Sequence, residues 1–230
     1  MTPLMLLPGM MCDQRLFGQQ VEALSDRFEI IHGVLDGHDT VEDLAAHLLK
    51  TAPPRFALAG LSMGGIVAME IMAQAPERVS KLCLMDTNPL AEVDAVKEMR
   101  EPQIQKAQNG QLRSVMRDEM KPRYLTDGPK RDEILDLCME MAMDLGAEVF
   151  VRQSRALQSR PDQTRTLKQV EVPTLILCGA DDTLCPLERH QLMQSLIADS
   201  KLAVVEHAGH LPVLENPHAT NQLLDLWLTE

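Results

Sequence analysis

The sequence predicts an α/β protein: a mostly parallel sheet of about six strands, covered by helices on both faces, with a helical insertion near the middle. Three observations lead there. Short apolar runs bounded by turn residues alternate with segments of helical period along most of the chain. Several of those runs, such as Leu82-Cys83-Leu84-Met85, are apolar on both sides, as strands buried on both faces require. The alternation then fails between Leu90 and Arg165, where helical patterns follow one another without a convincing strand.

Taken in order, Pro3–Leu7 is the first strand, and Pro8-Gly9 turns the chain out of it. Asp13–Leu24 has helical period, and Phe28–Gly33 is a second strand. Thr40 with Asp43 resembles a capping box and opens a helix over Thr40–Thr51. Arg55–Ala59 is a buried strand, Met63–Ala75 a helix and Lys81–Met85 a strand. Within Leu90–Arg165 the helical patterns are separated by Asn109-Gly110, Lys121-Pro122 and Asp127-Gly128-Pro129. About seventy-five residues is far too long for an ordinary loop. Residues 1–89 and 166–230 are therefore expected to form the core and residues 90–165 a helical cap. Loops at the carboxyl ends of parallel strands surround the site of action, so an insertion there can serve as a lid. The pattern resumes with strand Pro173–Cys178, helix Leu187–Ala198, strand Leu202–Glu206 and helix His218–Leu228.

Bulk properties exclude several function classes. The net charge of -12 argues against nucleic acid and anionic membrane as partners. The acidic excess falls almost wholly outside the nearly neutral Leu90–Arg165 segment, a shift that marks a boundary. No apolar run is long enough to span a membrane, and the N-terminus lacks a basic region and reads as a strand rather than a signal peptide. Five scattered cysteines contain no C-x-x-C pair, which suggests no zinc site and fits a cytoplasmic protein. No metal and no organic cofactor is expected, and the sequence does not speak to oligomeric state.

One short stretch carries the chemistry. Gly60-Leu61-Ser62-Met63-Gly64 lies between the strand Arg55–Ala59 and the helix beginning at Met63. A G-x-S-x-G turn in that setting holds a serine in a strained conformation, exposed at the top of a sheet and above a helix N-terminus. A serine hydroxyl is a weak nucleophile and needs an adjacent base, normally an imidazole oriented by a carboxylate. Downstream, Gly179-Ala180-Asp181-Asp182-Thr183-Leu184-Cys185-Pro186 follows one strand and His207-Ala208-Gly209-His210 follows the next.

Together with Leu7-Pro8-Gly9-Met10 and Glu215-Asn216-Pro217, these pieces resemble the α/β-hydrolase fold superfamily, in its serine-hydrolase, esterase-like form. Gly37-His38-Asp39 resembles the family's G-H-G-x-S loop, with aspartate where glycine is usual. The resemblance covers the chain except the insertion. It implies Ser62 as nucleophile, His210 as base and Asp182 as the acid, with Asp181 and Asp86 as alternatives. It also implies an oxyanion hole from the N–H groups of Met63 and Met10, with Met11 ranked behind Met10. Relatives usually have His-Gly where this chain has Pro8-Gly9, a change that leaves the Met10 N–H in place. The other histidines, His32, His38, His47, His190, His207 and His218, read as surface or loop residues.

The expected function is hydrolysis of a small carboxylic ester or lactone through an acyl-enzyme. The alternatives are cleavage of a thioester or of a β-diketone carbon–carbon bond on the same site, or a ligand-binding module without turnover. The fifteen methionines read mostly as core fillers, and any that line a pocket would make it apolar and adaptable, while the few aromatics argue against sugar-stacking or quaternary-ammonium sites. Arg100, Arg113, Arg117, Arg123, Arg152, Arg155 and Arg160 of the insertion read mostly as solvated faces, of which one would be able to anchor a substrate carboxylate.

Overall fold

A computed structural model describes residues 2–230. Six strands form one sheet: β1 (Leu4–Leu7), β2 (Ile30–His32), β3 (Phe56–Leu61), β4 (Val79–Met85), β5 (Thr174–Gly179) and β6 (Ser200–Val205). Their order is β2-β1-β3-β4-β5-β6. Every neighbouring pair is parallel, so the sheet is wholly rather than mostly parallel. The strand order reverses between β1 and β3. Parallel α/β sheets place ligands at such a switch point, outside the strands' carboxyl ends.

Among the described residues ten α-helices accompany the sheet: α1 (Gly18–Leu24), α2 (Val41–Thr51), α3 (Met63–Gln74), α4 (Asp94–Lys106), α5 (Leu112–Ser114), α6 (Arg131–Ser159), α7 (Thr164–Leu167), α8 (Leu187–Leu196), α9 (Pro212–Glu215) and α10 (Pro217–Thr229). Because side chains alternate along a strand, the sheet feeds two cores. Met5, Leu7, Leu58, Leu82, Leu84 and Ile176 join α2 and α3 on one face. Leu4, Leu6, Ala57, Ala59, Cys83, Met85 and Leu177 join α1 and α10 on the other.

Local chemistry sets the helix boundaries. Thr40 caps α2: its Oγ1 accepts the Asp43 N–H at 3.1 Å, and its hydroxyl donates to Asp43 Oδ2 at 2.8 Å. The run expected as one helix from Asp13 divides. Asp13 accepts the Arg15 N–H and starts a tight 3₁₀ turn over Gln14–Phe17, and α1 begins only at Gly18. The edge strand β2 is shorter than its apolar run suggests, and three residues without a second neighbour are all it pairs.

Between β4 and β5 the chain is helical, with no strand among the described residues. The helical path breaks twice at glycines with left-handed backbone, Gly110 (φ +79°) and Gly146 (φ +80°). The segment packs on both cores: Ile104, Val115 and Phe150 enter one, Tyr124, Cys138 and Met141 the other. It therefore bridges the two faces. No helix among the described residues is long and apolar enough to cross a membrane.

Candidate active site

Ser62 stands at the end of β3, where the chain must turn at once into α3. Its backbone has φ +55° and ψ -114°, a conformation that L-residues adopt only under constraint. Two glycines make the turn possible. A Cβ on Gly60 would lie 2.3 Å from the Gly64 carbonyl oxygen, and a Cβ on Gly64 would lie 2.1 Å from that of Leu7. The elbow is pinned to the end of β4: the Ser62 N–H donates to the Met85 carbonyl at 2.9 Å, and Thr87 Oγ1 donates to the Ser62 carbonyl at 2.7 Å.

Three of the residues singled out in the sequence meet here. His210 Nε2 lies 2.9 Å from Ser62 Oγ, and His210 Nδ1 lies 2.8 Å from Asp182 Oδ2. An ionised carboxylate only accepts, so Nδ1 carries the proton and Nε2 faces the serine hydroxyl as an acceptor. The Asp182 Oδ1 accepts the N–H groups of Leu184 (2.8 Å) and Cys185 (3.1 Å). Burial pushes the Asp182 carboxyl upward. The His210 partner and these N–H donors outweigh it, and the net shift is downward.

The other two acids occupy different environments. Asp181 is exposed and holds the loop through its backbone N–H, which donates to the Ala208 carbonyl at 3.0 Å. Asp86 is fully buried. Its Oδ1 accepts the Gly179 N–H at 2.8 Å, and Oδ2 has no donor within reach. Burial, then the neighbouring charge of Asp182, drives the Asp86 carboxyl well above the usual range. Asp86 thus resists ionisation in the fold, and no hydrogen bond joins it to Asp182.

Two backbone N–H groups near Ser62 lack protein acceptors. Met63 is the first residue of α3, where an N–H has no intrahelical partner. The Met10 N–H likewise meets no acceptor among the described residues. The Met11 N–H is spent: it donates to Gln153 Oε1 at 2.8 Å, while Gln153 Nε2 donates to the Leu35 carbonyl at 2.8 Å. Gln153, buried in α6, thereby braces the loop after β1. Nothing local in the sequence marks it.

The helical segment also grips the histidine loop. The His210 N–H donates to the Tyr124 carbonyl at 2.8 Å. Glu215 Oε2 accepts the Gly209 and Leu211 N–H groups, while its Oε1 accepts the Thr126 N–H and hydroxyl. His190, expected as a surface or loop residue, is instead fully buried in α8. Its Nε2 accepts the Thr87 N–H and its Nδ1 faces the Pro186 carbonyl, both at 3.3 Å. Burial lowers its pKa to about 4, so it is neutral. The buried group Asp86/Cys178/His190 and the group Asp182/Cys185/His210, in which Cys185 is half-buried, have metal-ligand composition, but their imidazole nitrogens are all engaged in these hydrogen bonds.

Ser62, His210, Met10 and Met63 open onto a cavity of about 380 Å³, whose other walls come from the helical segment and the loops after β4 and β5. The arrangement has the parts of acyl transfer: a hydroxyl, a base in line with it, a carboxylate behind the base, and free N–H donors beside the hydroxyl.

Comparison with known proteins agrees with the geometry. The model of the alpha/beta hydrolase family matches residues 6–223. A pimeloyl-acyl-carrier-protein methyl ester esterase of Nitrosomonas europaea is 24% identical over 228 residues, covering 93% of this chain and 90% of that protein. Its counterpart in Legionella pneumophila is 26% identical over 239 residues, covering 97% and 93%. Among solved structures, a thermophilic esterase from Thermogutta terrifontis with malate bound superposes with a TM-score of 0.90 at 28% identity, covering 100% of this chain and 90% of that one. The enol-lactonase of Burkholderia xenovorans, at TM-score 0.87, 22% identity and coverage of 100% and 92%, shares the fold. With fold, elbow and family match in agreement, this chain is a hydrolase that belongs to the alpha/beta hydrolase family.

Proposed function

We propose that the protein hydrolyses small carboxylic esters through a covalent acyl-enzyme on Ser62. The observation that carries this reading is the unbroken hydrogen-bonded line from Asp182 through His210 to Ser62 Oγ at the cavity floor. As Ser62 Oγ attacks the ester carbonyl, its proton passes to His210 Nε2. The carbonyl oxygen becomes an oxyanion, held by the Met10 and Met63 N–H groups. Collapse of this adduct expels the alkoxide, which leaves as alcohol with the proton from His210. Water, deprotonated by the same imidazole, then attacks the acyl-serine and releases the acid. Asp182 keeps the imidazole in the required tautomer throughout.

The esterase names carried by relatives of similar length support an ester over a thioester or a diketone. Residues 90–165 act in this reading as a cap that walls the cavity and selects the substrate, since that segment supplies much of its lining. A fluorophosphonate probe tests the assignment. It should label the native protein at Ser62, with loss of labelling in Ser62→Ala. Labelling that persists in the variant would refute it.

A further inference from the structure

The chain is strongly acidic, at net charge -12, yet one wall of the Ser62 cavity is basic. Glu92 is buried there and receives two guanidinium groups. Arg100 binds it through Nε and through Nη2 (3.3 Å), and Arg160 Nη1 lies 2.9 Å from its Oε1. Arg160 is held from behind as well, with Nε donating to the Leu90 carbonyl at 2.9 Å. The Arg160 and Glu92 side chains are only 9% and 4% exposed. A third guanidinium, Arg189, lines the same cavity and acts on Arg160 as a like charge, as does Arg100. Arg189 has no ion-pair partner among the described residues.

Glu92 does not neutralise Arg100, Arg160 and Arg189 together, and Glu119, which also lines the cavity, is paired with Lys106. Burying a cation without a counter-charge is costly, and a structural ion pair needs only one partner on each side. The surplus charge also has open donors. Among the described residues Arg100 Nη1 finds only the Met10 sulfur, at 3.8 Å, and Arg160 Nη2 finds no acceptor. The remaining wall near Ser62 is apolar, with Met10, Ile66, Val96 and Leu157. A cavity that is apolar beside the nucleophile and cationic along one wall fits an ester whose chain ends in a second, charged group.

We propose that Arg160, Arg100 and Arg189 form a subsite for an anionic oxygen group of the substrate, so that the preferred esters are half-esters that carry a free carboxylate or phosphate besides the scissile bond. This rests on the ester-hydrolase reading. A planar guanidinium offers two parallel N–H donors to either anion, and Glu92 fixes the fork in place. The anion completes the charge balance of the wall and aligns the scissile carbonyl with Ser62.

The experiment compares wild-type kcat/KM for monomethyl glutarate with that for methyl pentanoate, which has the same chain length without the charge. The expected preference for the charged ester is at least about tenfold, expressed mainly in KM. That preference should shrink toward unity in Arg160→Gln and in Arg189→Gln and recover in part in Arg160→Lys. A second arm needs no variant: glutarate and 4-phosphonobutyrate should inhibit hydrolysis of a neutral ester competitively, and the stronger of the two identifies the anion. Ser62 labelling by the fluorophosphonate probe is read alongside. Labelling with equal turnover of both esters and no inhibition by either anion overturns the subsite and leaves the hydrolase reading standing. Absence of labelling and of all turnover removes both.

Discussion

At the scale of single residues, Asp86 and Asp182 show how position decides the role of one functional group. Both are buried carboxyls after neighbouring strands, and both touch Gly179 or its loop. Asp182 receives three donors and its carboxyl pKa is lowered, whereas Asp86 receives one and its carboxyl is pushed well above the usual range by burial and by its charged neighbour. In the sequence Asp182 is the acid by its place three residues after Gly179, with Asp181 and Asp86 as alternatives, because each follows an apolar strand and spacing alone does not reveal which one faces the imidazole. Asp182→Asn should lower kcat by about 10³ to 10⁴-fold, since the amide stabilises the wrong tautomer. Asp86→Asn keeps an acceptor for the Gly179 N–H, so the loss should stay below about tenfold, the worth of one hydrogen bond. Steady-state kinetics on a chromogenic ester decides. A larger loss for Asp86→Asn than for Asp182→Asn would exchange their roles.

At the scale of elements, what is legible in the sequence depends on how local the cause is. β1 and β3 to β5 are readable because both of their faces are apolar, and α2 is readable because its cap and its buried stripe lie within a dozen residues. The elbow is readable because three residues, Gly60, Ser62 and Gly64, carry its geometry. Contacts across the chain are not readable. Gln153 reaches the Met11 N–H, Tyr124 reaches the His210 N–H, and His190 is buried although it sits in the polar run Glu188-Arg189-His190-Gln191. The break at Gly146 was likewise masked, because the helical pattern continues on both sides of it. The elbow also allows a sharp test. An added Cβ at Gly64 meets backbone atoms of Leu7 and Pro8, which cannot yield without parting β1 from α3. Gly64→Ala should cost about 3 kcal/mol or more and abolish Ser62 labelling. Gly18→Ala is the control: its Cβ meets nothing within 4 Å, its φ is -52°, and it opens α1. That change should be neutral or stabilise by about 0.5 to 1 kcal/mol. Thermal melting of the two variants gives the comparison.

At the scale of the whole molecule, burying ionisable groups beneath the site makes stability depend on pH with opposite signs. The Asp86 carboxyl is raised well above its unfolded value in the fold, so its contribution falls as pH rises from the ordinary carboxylate range upward. His190 works the other way. Its folded pKa of about 4 lies below the unfolded value of 6.5, because burial disfavours the imidazolium between Thr87 and Pro186. Above pH 6.5 both states are neutral and the residue contributes no pH dependence. Below it the unfolded chain takes up a proton that the native state refuses, and stability drains away until pH reaches about 4. Across that window the loss approaches about 3 kcal/mol. General charge acts against this trend, since protonating carboxylates relieves the repulsion of a chain with net charge -12. A single pH scan of the native protein therefore mixes the three effects. The difference between the native protein and His190→Gln separates them, because Asp86 and the surface charges are common to both. The glutamine retains an acceptor for the Thr87 N–H but does not titrate. Urea unfolding at pH 7.0, 5.5 and 4.5 should show the variant less stable at neutral pH, by the packing it loses, with the gap narrowing as pH falls. A gap that stays constant from pH 7.0 to 4.5 would mean that His190 titrates normally in the folded state and that its burial is not what the geometry implies.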